Sequence, residues 1–531
     1  MSLSHPTGGD STASSSARAE RVDFELSQLE HRLLHEGEPA EMPIAIEYHR
    51  SARAAGRYRR AQACLKQVCG CNPKNRRLRF LLIDILLHSG ENAAAMSEIE
   101  TAMVEFGVDD GFLGAALSVR AKLGLYATGR RPSVSLCMIV RDETEHLAAC
   151  LCSIKPAVDE IVVVDTGSTD ASKEIARAFG ARVIEHPWGD NFSEVRNRSL
   201  AGATGDLILV LDADEVISPR DHDRLRALAS AGAASRQAYT IRTRNYCDQF
   251  NTVGFRPNRG EYTEEKGAGW FPSDKVRLFP NDHRIRFRYP VHEMVEPALS
   301  ELGIRTSRCD IPVHHYGKLG CERTAVKTRL YRSIGHRKLS AAPEDPAALR
   351  ESAIQAGQLG SHADALALWQ RFICLQGDQA EAFVNMAGAY YNLRRYPEAA
   401  ASAERAMALD PSFKEARFNA ALALLMLGRA DLAISLLQPL VDDGSDYPAA
   451  RFLLAACQAC AGADSLFADG LRALSSGATA DCLPNSVADT AERLLSGGQR
   501  AYASALLRSA LRHNCTSPVI VALLDHCRAA A

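Results

Sequence analysis

Acidic side chains follow three apolar runs near the middle of the chain, and they could hold a cation or a polar ligand. Each run ends in carboxylates: Asp142 and Glu143 after Val134–Val140, Asp165 and Asp170 after 161–164, and Asp212, Asp214 and Glu215 after 207–211. Gathered at one place, these groups would repel one another unless a cation, or a ligand rich in hydroxyl and N–H groups, lay among them. The spacing therefore predicts a binding site if the fold brings the three groups together.

The apolar runs indicate how the fold does so. They are short, rich in β-branched residues and show little alternation, which is typical of parallel strands buried on both faces. Segments of helical length, such as 171–180, lie between them. Strand, helix and strand in succession give right-handed crossovers with every strand ending at the same edge, where open α/β sheets bind ligands. We therefore expect the acids at one edge of a parallel sheet.

The sequence Asp212-Ala213-Asp214 has the D-x-D form. The two-residue period of a strand puts both carboxylates on the same side. Mg²⁺ and Mn²⁺ prefer oxygen ligands and usually take only one or two carboxylates, with phosphate and water supplying the rest. The motif could hold a divalent cation, Mn²⁺ or Mg²⁺, that bridges the protein to a nucleotide diphosphate. A solvated turn or a helix cap is the alternative, and it is the commoner case for a D-x-D motif taken by itself.

Bulk properties narrow the function classes. A chain of 531 residues is too long to fold around a single hydrophobic core, so two to four domains are expected. A net charge of −2 gives no basic field for nucleic acid. No apolar run approaches the roughly 18 residues that span a membrane, and the 15 scattered cysteines argue for a reducing compartment. We expect a cytoplasmic protein.

Helical repeats are predicted on both sides of the α/β region. Gly56 and Gly90 lie 34 residues apart, as do Ala348, Ala382 and Ala416, and 34 residues is the period of tetratricopeptide repeats. Such repeats stack into a solenoid with a binding groove. The predicted domains are a disordered or variable N-terminus (1–40), a helical tetratricopeptide-like region (41–130), an α/β domain (133–338) and a repeat solenoid (344–531).

The second half of the α/β domain has a less regular pattern of apolar and polar residues. A strand is predicted over 239–244, an irregular stretch over 245–269, and short strands over 275–279, 285–289, 291–295 and 311–317, before a basic helix over 322–338. Loops as long as 245–269 tend to be functional or mobile. His314 and His315 are adjacent in a predicted strand, so they point to opposite faces and at most one serves a given site.

Residues 133–335 resemble the bacterial family 2 glycosyltransferases of the GT-A fold that are fused to tetratricopeptide repeats. The resemblance rests on "SLCMIVRDE", "DEIVVVDTGSTD", "FSEVRNRSL" and "GDLILVLDADE". It implies an α/β GT-A (nucleotide-diphospho-sugar transferase) domain flanked by all-α tetratricopeptide-like helical repeats. Asp142 departs from the family, which often has Asn there, but a carboxylate at that position can still hydrogen-bond.

The resemblance also implies roles for particular residues. It implies donor binding by Asp142, Glu143, Asp165, Arg196 and Asp212, metal binding by Asp212, Asp214 and His315, and catalysis by His292 and Glu293. An inverting transfer needs one group to take the acceptor proton, and we favour Glu293 over His292. Structural roles are the alternatives: Asp170 or Thr169 as the cap of the next helix, and a satisfied histidine at position 315.

Together these features predict an inverting glycosyltransferase that takes a nucleotide-diphosphate sugar, for which we favour a UDP-sugar. The repeats would hold a peptide or protein acceptor or a partner protein, separately from donor chemistry, or would serve in dimerisation or localisation. A transferase acting on lipopolysaccharide core or another envelope glycan is one alternative. A repeat scaffold with an inactive core that senses a nucleotide sugar is the other.

Overall fold

A computed structural model of the chain describes residues 11–35, 41–248, 254–290, 293–317, 319, 339, 343–443, 447–475, 480 and 482–529. The chain divides into two units. The first holds the residues up to Trp188 together with Arg198–Ala213 and Arg226–Ala233. The second holds Gly189–Asn197, Asp214–Leu225 and the residues from Ala234 onward. In the ranges given above, no helix is long and apolar enough to cross a membrane.

Six helices precede the first strand. They are α1 (Ser11–His35), α2 (Glu41–Ala54), α3 (Tyr58–Cys71), α4 (Arg76–His88), α5 (Asn92–Phe106) and α6 (Asp110–Leu123). The first lies within the segment expected to be disordered or variable (1–40), of which residues 1–10 and 36–40 are outside the described residues. Leu26, Leu29 and Leu33 recur at helical spacing and are buried in a common core with α2, α3 and α4, and this apolar face is enough to hold the helix in place.

The N-terminal helices are fastened to the α/β domain by a buried ion cluster. Glu100 of α5 accepts hydrogen bonds from Lys155 and from Arg120 of α6 (3.1 Å), and Arg120 also donates to the carbonyl oxygen of Ala178 at 2.9 Å. Burial raises the pKa of Glu100 and lowers the pKa of Lys155, and the attraction within the cluster opposes both effects. A buried charge left without its partner is costly, so the cluster fixes where α5 and α6 lie.

The α/β part of the chain alternates strands and helices, as predicted. Its elements are β1 (Val134–Val140), α7 (Leu147–Ile154), β2 (Glu160–Asp165), α8 (Ser172–Ala178), β3 (Arg182–Glu185), α9 (Phe192–Gly202), β4 (Leu207–Val210), β5 (Glu215–Val216), α10 (His222–Ser235), β6 (Ala238–Cys247), β7 (Arg256–Pro257), β8 (Gly269–Pro280), α11 (Glu296–Glu301) and β9 (Thr306–His315).

The strands of the first unit are parallel. Their order is β3-β2-β1-β4, with β1 in register Val140↔Asp165 against β2 and Val134↔Leu207 against β4. Nearly every residue of β1, β2 and β4 is buried. This confirms the prediction of strands covered on both faces, and β3 is a short fourth strand that the sequence analysis did not predict.

The strands of the second unit form a mixed ladder in the order β8-β6-β9-β5. β6 pairs antiparallel with β8 and parallel with β9, and β9 pairs antiparallel with β5. The strands predicted over 285–289 and 291–295 are wrong where they can be compared, since only an isolated bridge joins Arg288 to Met294. The helix predicted over 322–338 lies outside the described residues.

Eleven further helices are described after β9, and they carry the predicted 34-residue period. They are α12 (Pro346–Gln358), α13 (His362–Gln376), α14 (Ala380–Asn392), α15 (Tyr396–Leu409), α16 (Lys414–Met426), α17 (Ala430–Asp442), α18 (Pro448–Cys460), α19 (Asp464–Leu474), α20 (Leu483–Ser496), α21 (Arg500–Arg512) and α22 (Pro518–Ala529). Ala387, Ala403 and Ala420 form a fully packed cluster where α14, α15 and α16 meet. Small side chains let the helix axes approach closely there. The predicted fold class, an α/β domain flanked by helical repeats, is confirmed.

The C-terminal repeats share a hydrophobic core with part of the α/β domain. Cys247, Phe255 and Ala268 are buried in one cluster with residues of α16 to α22, and Phe271 packs against it. All of these residues belong to the second unit. The stretch that the sequence analysis read as an irregular loop is therefore held by the repeats, so the repeats are not a module that simply follows the transferase domain.

We expect Phe255→Ala to destabilise the second unit by about 3–5 kcal/mol, because it opens a cavity where the phenyl ring is 1% exposed. Unfolding by heat or urea would measure the loss. Phe24→Ala is the matched control, since that ring is 64% exposed, and its effect should stay within about 0.5 kcal/mol. Equal stabilities for the two variants would show that the shared core does not form.

Candidate functional site

The loops after β1 and β2 in the first unit are joined by hydrogen bonds from predicted site residues. Asp142 has a φ of 52°, a left-handed conformation that Asn and Asp adopt more readily than other residues bearing a Cβ. Its Oδ1 accepts from the Thr169 backbone N–H at 2.7 Å, and its own N–H donates to Ser168 Oγ at 3.0 Å. The carboxylate therefore does here what an asparagine side chain could also do, which explains how this chain tolerates its departure from the family.

Asp165 lies at the end of β2 and is 2% exposed. Its carboxylate accepts from the backbone N–H groups of Gly167 (3.0 Å) and Ser168 (3.1 Å). Gly167 has a φ of 99°, which glycine adopts without strain. The structure thus gives Asp165 a definite role in shaping its own loop, and its predicted contact with a nucleotide base stays a prediction.

Asp170 holds the start of α8. Its carboxylate accepts from the N–H groups of Ser172 and Thr144, each at 3.0 Å. Burial favours the neutral acid, but the hydrogen bonds from Ser172 and Thr144 outweigh it and hold the pKa of Asp170 below its usual value. Glu143 is held nearby through its backbone, whose N–H donates to Ser172 Oγ at 2.8 Å. Asp170 precedes the N-cap residue Ala171 and accepts from the first N–H group of α8, so it supports the start of the helix without being its N-cap.

The D-x-D motif lies between β4 and β5. The backbone carbonyl of Asp212, in the first unit, accepts from the thiol of Cys150 at 3.5 Å. In the second unit, Asp214 Oδ2 lies 3.2 Å from His315 Nε2. The register Glu215↔His315 between β5 and β9 brings the two together. Two of the three predicted metal ligands are therefore adjacent within the second unit.

His315 is held from its other side. Its Nδ1 lies 2.8 Å from Asn245 Oδ1 on β6. His314 points the opposite way, as expected for adjacent strand residues: it is fully buried and its Nδ1 lies 2.7 Å from the hydroxyl of Tyr246. Burial lowers the pKa of His314 to about 3, so this ring is neutral and serves the core, which leaves His315 for the site.

The donor set of Asp214 and His315 fits a divalent cation. Carboxylate oxygen suits Mg²⁺ and Mn²⁺, and imidazole nitrogen suits transition metals. Across the described ranges no three His, Cys, Asp or Glu side chains converge on one point. A cation that also takes oxygens from a diphosphate and water needs only one or two protein ligands, so the pair is sufficient for that kind of site.

Glu215 is not part of an exposed acidic edge, contrary to expectation. It is 2% exposed, as is Arg277, and the two make a bidentate ion pair with distances of 2.5 and 2.6 Å. Arg277 also donates to Thr243 Oγ1 at 2.9 Å. Because Glu215 directly follows Asp214 and begins β5, this pair holds the strand next to Asp214.

The predicted Arg196 and Glu293 meet in the second unit. Arg196 Nε donates to Glu293 Oε1 at 2.6 Å, and its guanidinium lies over the ring of Phe287. The next residue, Asn197, exchanges two hydrogen bonds with the backbone of Phe287, at 2.8 and 2.9 Å. The "RN" sequence thus holds the segment that carries Glu293. His292 lies outside the described residues.

The Arg196–Glu293 contact was missed from the sequence because the two residues are 97 positions apart and no local pattern links them. Asn245 was missed as well, since it fell in the stretch read as irregular. Its position opposite both Phe271 and His315 follows from the pairing of β6 with β8 and β9. That pairing would have been needed to find it.

Comparison with known families identifies two kinds of domain in the chain. Residues 135–280 match the family described as glycosyl transferase family 2, and residues 50–107, 350–412 and 384–448 match the tetratricopeptide repeat. The chain therefore contains a family 2 glycosyltransferase domain set between tetratricopeptide repeats.

Curated relatives include a TPR repeat-containing protein of Synechococcus elongatus, 39% identical over 39% of this chain and 44% of that protein. The SPbeta prophage-derived glycosyltransferase SunS of Bacillus subtilis is 25% identical over 43% of this chain and 50% of that protein. An uncharacterized glycosyltransferase of Rickettsia felis is 35% identical over 20% of this chain and 38% of that protein. The chain spans half or less of the length of these relatives.

Among solved structures, the TPR protein YrrB is similar to this chain, with a TM-score of 0.27, 18% identity and coverage of 35% of this chain and 96% of that one. At this TM-score the likeness supports no statement about the function of the chain.

We expect Glu215→Gln to lower the free energy of unfolding by about 3–5 kcal/mol, because it leaves the Arg277 guanidinium buried without its counter-charge. The double variant Glu215→Leu with Arg277→Met should lose much less, since both charges are removed together. Chemical unfolding of the wild type, Glu215→Leu, Arg277→Met and the double variant would give the coupling energy. A coupling near zero would contradict a role for this pair in holding β5.

Proposed function

We propose that the protein is an inverting glycosyltransferase that moves a sugar from a nucleotide-diphosphate donor, for which we favour a UDP-sugar, to a peptide or protein acceptor. The observation that carries the proposal is the pairing of Asp214 Oδ2 with His315 Nε2 at the end of a D-x-D motif, inside a domain of glycosyl transferase family 2. The amide of Asn245 contacts His315 Nδ1, and the buried Glu215–Arg277 ion pair lies on the residue that follows Asp214.

The donor would be bound by two sets of residues. Asp142, Glu143 and Asp165 belong to the loops that end β1 and β2, and we assign them to the nucleoside. Asp214 and His315, with Asp212 two residues earlier in the chain, would hold Mn²⁺ or Mg²⁺. Such an ion, when bound, offsets the charge that develops on the departing diphosphate.

Glu293 is the proposed base that takes the proton from the acceptor. Its carboxylate is held by Arg196 at 2.6 Å, and the segment around it is tied to α9 by Asn197. Arg196 was expected to contact the donor. Its bond to Glu293 supports a positioning role instead, in which the guanidinium fixes the direction in which the carboxylate points.

The repeats support the choice of a peptide or protein acceptor. A stacked array of helix pairs offers an extended surface that suits a chain better than a small sugar nucleotide. Because the repeats share a core with Cys247, Phe255 and Ala268, acceptor binding there would act on the same unit that carries Asp214, His315 and Glu293.

The test of this function is hydrolysis of UDP-, GDP- and dTDP-sugars with Mn²⁺, followed by transfer to candidate peptide and glycan acceptors.

Asp214→Ala should abolish the metal-dependent reaction, because a dianionic diphosphate is repelled by the acidic strand end without a cation. Asp274→Ala is the control, an acid on β8 that pairs with Arg242 and Arg308. Full activity of Asp214→Ala in chelator would refute the metal role. Donor binding without any turnover would favour the sensing scaffold.

Glu293→Gln should lower kcat by about 10²–10⁴-fold with little change in the donor KM, since a general base acts only in the transition state. Arg196→Gln should also lower kcat, by less, while the donor KM stays constant. Steady-state kinetics with varied donor would measure both. Arg198→Gln, on the exposed side of the same helix, is the control. A raised donor KM in Arg196→Gln would instead favour a direct donor contact.

A further inference from the structure

Asn245 makes three side-chain hydrogen bonds that together fix its orientation. Its Nδ2 donates to the carbonyl oxygen of Phe271 at 3.0 Å and to Ser273 Oγ at 2.9 Å, both on β8. Its Oδ1 faces His315 Nδ1 on β9 at 2.8 Å. A flipped amide would turn its NH₂ group toward His315 and its oxygen toward the Phe271 carbonyl, so the observed orientation is the one that the strand imposes.

This orientation determines which nitrogen of His315 carries the hydrogen. Asn245 Oδ1 can only accept, so His315 Nδ1 must donate. In the neutral ring the other nitrogen, Nε2, then presents a lone pair. That lone pair faces Asp214 Oδ2 at 3.2 Å. With the ring in this tautomer, Nε2 and Asp214 Oδ2 can both donate an electron pair to the same cation.

Gly317 supplies a second, independent observation at the same place. A Cβ at this position would lie 2.6 Å from Asp214 Oδ2 and 2.6 Å from His315 Nε2. Side chains do not approach other atoms so closely, so any larger residue at 317 would displace one of the two. The glycine leaves a small space that borders both ligand atoms.

We propose that Asn245 and Gly317 complete the metal site: Asn245 is a positioning residue that holds His315 in the tautomer able to bind metal, and Gly317 keeps the space beside both ligand atoms clear. The proposal rests on the proposed function, which assigns metal to Asp214 and His315. Hydrogen bonds of this kind to a metal-bound imidazole orient the ring and raise its basicity, and removing them typically costs about 10–100-fold in metal affinity.

The experiment measures Mn²⁺ binding to the full chain by electron paramagnetic resonance of the free ion, with and without UDP, so that the readout does not depend on turnover. Asn245→Ala should weaken Mn²⁺ binding by about 10–100-fold, and Gly317→Ala should abolish it. Asn245→Asp keeps an acceptor for His315 Nδ1 and should recover affinity to within about tenfold of wild type. A merely structural loss would not be rescued this way, because the aspartate cannot donate to Phe271.

Asn258→Ala is the matched control, since this asparagine also donates to backbone carbonyls, those of Lys266 and Gly267. Its Mn²⁺ affinity should equal that of wild type. Thermal unfolding of each variant separates loss of metal from loss of fold. If wild type binds Mn²⁺ and Asp214→Ala does not, yet Asn245→Ala and Gly317→Ala bind as wild type does, the inference is overturned and the proposed function stands. If wild type binds no Mn²⁺ with UDP present, both are overturned.

Discussion

The burial of β1, β2 and β4 on both faces is the constraint on which the rest of the α/β domain depends. Strands covered on both sides have no room for charged groups, so polar chemistry moves to the loops where they end. Those loops carry many backbone N–H groups, and an N–H left without an acceptor costs about 1–3 kcal/mol. Asp142, Asp165 and Asp170 supply the acceptors. The acids at this edge therefore stabilise the loops that carry them.

In the second unit, the candidate site residues and their neighbours are held by partners that are far away in the chain. Arg196 holds Glu293, Arg277 holds Glu215 beside Asp214, and Asn245 holds His315. In each pair one member is a candidate site residue or its neighbour, and the other comes from a different element. Hydrogen bonds to charged groups are stronger than neutral ones and more directional. The candidate residues thus gain fixed directions from partners on other elements of the fold.

The sequence predicted what depends on local pattern. Buried strands, the 34-residue helical period and the acids at strand ends all leave a signature within a few residues. It did not predict the contact between Arg196 and Glu293 or the contact between Asn245 and His315, because both depend on which strands and segments become neighbours. Helix α1 was missed because a Ser-rich start masked the spacing of Leu26, Leu29 and Leu33. The strand expected over 285–289 is absent because that segment is held instead by the side chain of Asn197.

The core that joins Cys247, Phe255 and Ala268 to the C-terminal helices limits how such a protein can be rearranged. In a chimera that joins this α/β domain to the repeats of another protein, these three apolar side chains would face residues that do not pack against them. Such a chimera would fold only if the 247–271 stretch were exchanged together with the repeats. The repeat array and the 247–271 stretch of the transferase domain therefore form one packing unit.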